Sequence, residues 1–260
     1  MITKKINTEK GSIEYFVEGT GEAVIFLHGA GASAVSNWQS SIELFSKYKK
    51  VISINLPSAG NTKWDSITLS LTDLVGVVKS VIKAEGENEI TLVGYSTGAV
   101  VSLAYAGTYP DEIKKVVSIA PWLVNARQKF FFNFWGRLEK IDRELFARYN
   151  TLTALSINAH NYMDDDAFET TAQVFASTGF NDDLSLLIET LTTIDVEPYL
   201  SKITSKVKII GFTYDIIAPI NLAKEISEKI KGAIFCDIEA GHAGPWEATE
   251  KMNDEIENFI

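Results

Sequence analysis

Two runs at the start of the chain, residues 2–7 and 12–18, alternate or nearly alternate apolar with polar positions around Gly11. A period of two puts one face of a strand in the core and the other in water, so these runs predict a half-exposed hairpin at an antiparallel sheet edge. From Ala23 the pattern changes. Ala23-Val-Ile-Phe-Leu, Val51-Ile-Ser-Ile-Asn-Leu, Ile90-Thr-Leu-Val and Val116-Val-Ser-Ile-Ala are short apolar runs with little alternation, the signature of strands covered on both faces. Segments 38–48, 69–84 and 99–109 lie between them and suit helices; the second carries Leu71, Leu74, Val75, Val78 and Ile82 on one face. Such alternation of strand and helix predicts an α/β fold with right-handed crossovers in a mostly parallel sheet.

After about Pro121 the rhythm stops, and as far as about Tyr199 the chain is rich in aromatics and helix formers, Phe130-Phe-Phe-Asn-Phe-Trp among them, without a clear strand. It resumes with Val207-Lys-Ile-Ile-Gly-Phe as a strand, a helix over 220–230, a strand over 234–238 and a terminal helix over 246–259. The pattern therefore predicts a core of residues 1–120 and 201–260 interrupted by a helical insertion, residues 121–200, which is too long for a loop and is expected to act as a cap. A chain of 260 residues lies near the size at which one hydrophobic core stops growing, which suits one domain with an insertion better than two folds.

Composition narrows the partners. The formal net charge of −10, with no cluster of Lys and Arg interleaved with aromatics, argues against nucleic acid, although the locally mixed stretch 127–148 leaves room for a small anionic substrate. No apolar leader with a cleavage site is visible, and no apolar run approaches the roughly 18 to 20 residues a membrane span needs, so a cytoplasmic protein without a membrane partner is expected. The single cysteine, Cys236, rules out an internal disulfide and leaves no thiolate pair for zinc; its apolar surroundings suit strand packing. No metal is expected.

The sharpest local signal is Gly94-Tyr95-Ser96-Thr97-Gly98, at the end of one apolar strand and the start of a helix. A serine in that tight turn projects its hydroxyl from the sheet end, and glycines flank it because larger side chains would meet neighbouring backbone. A hydroxyl needs a base, and the base needs an orienting acid. Of His28, His160 and His242, only His242 sits in a loop after the last strand, within Gly241-His-Ala-Gly. Asp215 occupies the preceding strand-to-helix loop, whereas Asp111, Asp195 and Asp164 to Asp166 read as solvated charge. The developing oxyanion needs two backbone N–H donors: Thr97, after the nucleophile, and Ala30, within His28-Gly29-Ala30-Gly31 at another strand end. His28 itself reads as a brace for that loop.

These four motifs, in this order and spacing, resemble the α/β-hydrolase family, in its serine-nucleophile, capped esterase, lactonase and thioesterase-like branch. The resemblance covers the core on both sides of the insertion. It implies an eight-stranded, mostly parallel sheet, a cap and no cofactor. Many relatives carry Asp-x-x-Gly-x-Gly-x-Ser where this chain reads Asn55-Leu-Pro-Ser-Ala-Gly-Asn-Thr, a change in an architectural stretch outside the triad. Serine at the nucleophile position disfavours the branches that use Asp.

Trp122, Phe130, Phe131, Phe132, Phe134 and Trp135 are candidates to line an apolar acyl pocket or to dock the cap on the core. Arg127, Arg137 and Arg143 are candidates to meet a carboxylate. The expected function is hydrolysis of a carboxylic ester, thioester or lactone through an acyl-enzyme. Carbon–carbon bond hydrolysis, acyl transfer or cyclisation with the same triad, and ligand binding without turnover are the alternatives. The expected partner is a small-molecule acyl substrate, and the chain is expected to be a monomer or homodimer.

Overall fold

In a computed structural model, which describes residues 1–178 and 181–260 with the side chain of Thr178 excepted, the alternating runs form an antiparallel pair. These are β1 (Ile2–Thr8) and β2 (Gly11–Glu18), with β1 the more exposed, as an edge strand should be. The apolar runs become β3 (Ala23–Leu27), β4 (Lys50–Ile54), β6 (Ile90–Tyr95), β7 (Ile113–Ile119), β8 (Lys206–Phe212) and β9 (Ile234–Ile238). The sheet order is β1-β2-β4-β3-β6-β7-β8-β9, with every pair from β4 to β9 parallel. That path has the eight strands implied by the resemblance. A ninth, β5 (Lys63–Trp64), pairs antiparallel with β2 off the path, and two residues are too few to show a period.

Helices cover both faces of the sheet. α1 (Ala34–Phe45) begins four residues before the apolar pattern suggests, because the Ser33 hydroxyl accepts the Ser36 N–H while Ser36 returns a bond to the Ser33 N–H. α2 (Leu71–Glu85) is capped in the same way by Ser70 and Asp73 and ends at Gly86 in the left-handed region (φ +67°). α3 (Thr97–Thr108) follows β6, and α10 (Ile220–Lys229) lies between β8 and β9. The expected terminal helix is two pieces, α11 (Gly244–Glu247) and α12 (Thr249–Glu257), parted at Ala248. Phe26, Trp38 and Phe45 are fully buried between sheet and α1, with the Phe26 and Trp38 rings 4.9 Å apart.

Between β7 and β8 run α4 (Ala126–Ile141), α5 (Arg143–Ala154), α6 (Ile157–Tyr162), α7 (Asp165–Thr178), α8 (Leu184–Leu191) and α9 (Glu197–Leu200). α4 packs on α5 and α8, and α5 on α7. α9 instead packs on α3 and α10, so residues 197–200, expected in the insertion, dock on the core. The Asn55 departure also has a structural role. Its side chain accepts the Ala34 N–H at 2.8 Å and donates to Glu14 at 2.7 Å, tying the start of α1 to β2. Among the described residues no helix is long and apolar enough to cross a membrane.

Candidate active site

Ser96 joins β6 to α3 with φ +54° and ψ −115°, a conformation that costs a non-glycine residue strain and turns its hydroxyl away from the sheet. The neighbouring backbone makes that turn possible only with glycine on both sides. A Cβ on Gly94 would lie 2.1 Å from the Gly98 carbonyl oxygen, and one on Gly98 would lie 2.2 Å from that of Leu27. The Ser96 N–H donates to the Ile119 carbonyl on β7 at 2.8 Å, which anchors the strained residue to the sheet.

His242 comes over the same sheet end from the loop after β9. Its Nε2 is 2.9 Å from Ser96 Oγ, and its Nδ1 is 2.7 Å from Asp215 Oδ2. Asp215, in the loop after β8, is buried, and its other oxygen accepts the N–H groups of Ile217 (2.8 Å) and Ala218 (2.7 Å). A carboxylate that only accepts requires the proton of a neutral imidazole on Nδ1, leaving the Nε2 lone pair facing the serine hydroxyl. That arrangement can take the proton as Ser96 attacks an electrophile and hold the resulting imidazolium. Asp111, Asp195 and Asp164 to Asp166 are exposed; Asp164 and Asp195 accept local backbone N–H groups.

Two supports of this group were outside the reach of sequence reasoning. Tyr95 donates its hydroxyl to the His242 carbonyl, with its ring 5.2 Å from the imidazole. Gln128 on α4, fully buried, donates to the Ile217 carbonyl at 2.7 Å, and Arg127 donates both to Gln128 and to the Ile216 carbonyl. The insertion thereby grips the loop whose N–H groups hold Asp215. Gln128 looks in sequence like any polar helix residue, and only the fold shows what it meets.

The loop 28–31 follows β3. His28 is fully buried: its Nδ1–H donates to the Gly29 carbonyl at 2.7 Å, its Nε2 accepts the Leu56 N–H at 3.0 Å, and its carbonyl accepts the Gly98 N–H at 3.1 Å. Burial lowers its pKa to about 4, so the ring is neutral and both nitrogens are committed. In the first turn of α3, Gly98 donates to His28, and Ala99 and Val100 donate to the Ser96 carbonyl, which leaves the Thr97 N–H beside the nucleophile unpartnered among the described residues. The N–H of Ala30 is likewise unpartnered among the described residues, and Ala30 and Gly31 border the cavity above Ser96.

That cavity encloses about 500 Å³ and is mainly apolar. Trp122, Phe132 and Trp135 line it, Trp122 packing on Phe132 at 5.4 Å and Trp135 on Phe146 at 5.4 Å. Phe130, Phe131 and Phe134, expected in the pocket, are not in its wall. α4 turns positions 128, 132, 135 and 139 inward, so Phe130 (76% exposed) and Phe134 (41%) face outward, while Phe131 is wedged between Phe132, Trp135 and Tyr149. The arginines are also elsewhere: Arg127 holds the Asp215 loop, Arg143 pairs with Glu139, and Arg137 is exposed. Among the described residues no cluster of three or more His, Cys, Asp or Glu is placed to hold a metal.

A family described as the alpha/beta hydrolase fold matches residues 22–249. A pyrrolizixenacetamide deacetylase from Xenorhabdus hominickii is 24% identical over 258 residues, 98% of this chain and 97% of that protein. Among solved structures, MGS-M2, an alpha/beta hydrolase enzyme from a Medee basin deep-sea metagenome library, superposes with a TM-score of 0.90 at 22% identity, covering 98% of this chain and 96% of the other. The enol-lactonase from Burkholderia xenovorans LB400 superposes at 0.87 with 15% identity, covering 98% and 99%. At those identities the superpositions speak for the fold.

Proposed function

The chain belongs to the α/β-hydrolase fold family and is a hydrolase, and we propose that it is a serine hydrolase cleaving a carboxylic ester or a related acyl compound through an acyl-enzyme. The observation that supports this most is the Ser96–His242–Asp215 chain of hydrogen bonds on the floor of a largely apolar cavity. In this reading Ser96 Oγ attacks the acyl carbon as His242 Nε2 takes its proton, and Asp215 stabilises the imidazolium. The N–H groups of Ala30 and Thr97 receive the negative carbonyl oxygen. His242 then gives the proton to the leaving oxygen, the bond to it breaks, and a water deprotonated by the same imidazole releases the acid from Ser96.

Helices α4 to α8 act as the cap, and Phe132 and Trp135 of α4, with Trp122 from the segment before it, cover the acyl group. The near full-length relative named as a deacetylase favours amide hydrolysis, by the same acyl-enzyme, as the second reading. Treatment with a fluorophosphonate and intact-mass measurement tests both: one adduct on the native protein and none on Ser96→Ala is the expected result. Aryl esters of graded length, acyl thioesters and anilides then rank the leaving groups. A native protein that takes up no adduct, or a Ser96→Ala protein that keeps wild-type turnover, sinks the proposal.

A further inference from the structure

α5 turns one stripe toward the cavity: Asn150, Thr151, Ala154 and then Leu155. Asn150 is 7% exposed and Thr151 5%, yet neither side chain makes a hydrogen bond with any described residue. Their polar atoms are not sealed inside the protein, as the hydroxyl of Thr97 and the indole N–H groups of Trp122 and Trp135 are, so they open onto the space they border. Of the other polar groups in the wall, Thr170 and Trp246 are exposed to solvent and three more are engaged within the protein. Ser36 bonds to Ser33, Thr171 to the Ala167 carbonyl, and Glu247 accepts the N–H groups of Ser156 and Gly241. A secluded amide and hydroxyl left unpaired in an apolar chamber are unfavourable unless a ligand or water completes them.

Charge restricts what that ligand is. No Lys or Arg is among the residues lining the cavity, whereas the Glu247 carboxylate is. A carboxylate entering there would lose its hydration with no cation in return. Resting on the serine-hydrolase reading above, we infer that Asn150 and Thr151 are specificity-determining residues. They read a neutral hydrogen-bonding group, an amide, hydroxyl or ketone, that the acyl substrate carries away from its scissile bond on an otherwise apolar frame. Asn150 supplies both a donor and an acceptor, and Thr151 a hydroxyl that serves as either.

The test uses nitrophenyl esters of one chain length in three forms: plain hydrocarbon, a series with one acetamido group moved along the chain, and a chain ending in carboxylate. At least one acetamido ester should exceed the hydrocarbon ester in kcat/KM by roughly ten-fold or more, with the carboxylate form poorest. In the Asn150→Leu, Thr151→Val double variant that preference, read as a ratio of kcat/KM values within the one protein, should shrink to within about two-fold. The melting temperature should not fall, since the replaced side chains hold no hydrogen-bond partner among the described residues. The same three ester forms titrated calorimetrically into Ser96→Ala protein should bind in the same order. A native enzyme that labels and turns over but favours no acetamido ester by more than about two-fold, or a preference that survives in the double variant, overturns this inference and leaves the hydrolase reading standing. A protein that fails to label, yet whose Ser96→Ala form binds the acetamido esters preferentially through Asn150 and Thr151, overturns the hydrolase reading and leaves the recognition intact.

Discussion

His28 gives the loop that carries Ala30 a pH limit that can be worked out from its surroundings. Folded, its pKa is lowered from 6.5 to about 4 by burial; unfolded, it returns to the ordinary value. Between those values the unfolded chain binds a proton that the folded chain refuses, so stability is fully present above about pH 6.5 and is lost as the pH falls toward 4. At about 1.4 kcal/mol per unit, the limiting loss is roughly 3 kcal/mol, of which about 2 kcal/mol should have gone by pH 5. The buried carboxylates with lowered pKa, Glu14 and Glu85, act mainly below about pH 4.5, outside most of this window. Urea unfolding at half-unit steps from pH 7.5 to 4.5, on the native protein and on His28→Leu, isolates the histidine. The variant should be less stable at neutral pH, because the Leu56 N–H loses its acceptor, but it should lack the native protein's decline between about pH 6.5 and 5. Equal declines in the two proteins would refute the account of His28 as a neutral, doubly committed brace.

Three further outcomes follow from contacts around the proposed triad. Asp215→Asn should lower kcat by about 10³- to 10⁴-fold: the two N–H groups of Ile217 and Ala218 claim the amide oxygen and turn its NH2 toward His242 Nδ1, forcing the proton onto Nε2. Steady-state kinetics checks this, and an unchanged rate would move the acid role elsewhere. Gln128→Leu strips the buried Ile217 carbonyl of its donor and should cost about 1–3 kcal/mol in unfolding experiments. It should also cost roughly ten-fold in kcat with little change in KM; a loss of stability with kcat intact would show that the grip of α4 does not reach Asp215. Gly98→Ala puts a methyl 2.2 Å from the Leu27 carbonyl oxygen, so a drop of more than about 3 kcal/mol, or no soluble protein, is expected, and native-like melting would contradict the packing at the nucleophile turn.

Much of this molecule is written in short-range pattern. Strands covered on both faces must be apolar throughout, so β3, β4, β6, β7 and β8 announce themselves, and the alternation of β1 marks it as an edge, whereas β2, paired with β1 and β4, is more buried than its near-alternation suggests. The glycines around Ser96 are a local steric demand, so the turn is legible in five residues, and the loops bearing Asp215 and His242 are legible as ends of neighbouring strands. Their approach to within 2.9 Å of one another is decided by the parallel sheet, which brings chain segments 146 and 27 positions apart to one edge. What pattern cannot carry is contact between elements that share no period. Phe130 and Phe132 are alike in composition, and only the rotation of α4 against the core sends one to solvent and the other to the cavity. Asn150, Thr151 and Gln128 read as ordinary helix surface until tertiary packing closes around them, because burial of a polar group is a property of its neighbours and not of its place in the chain.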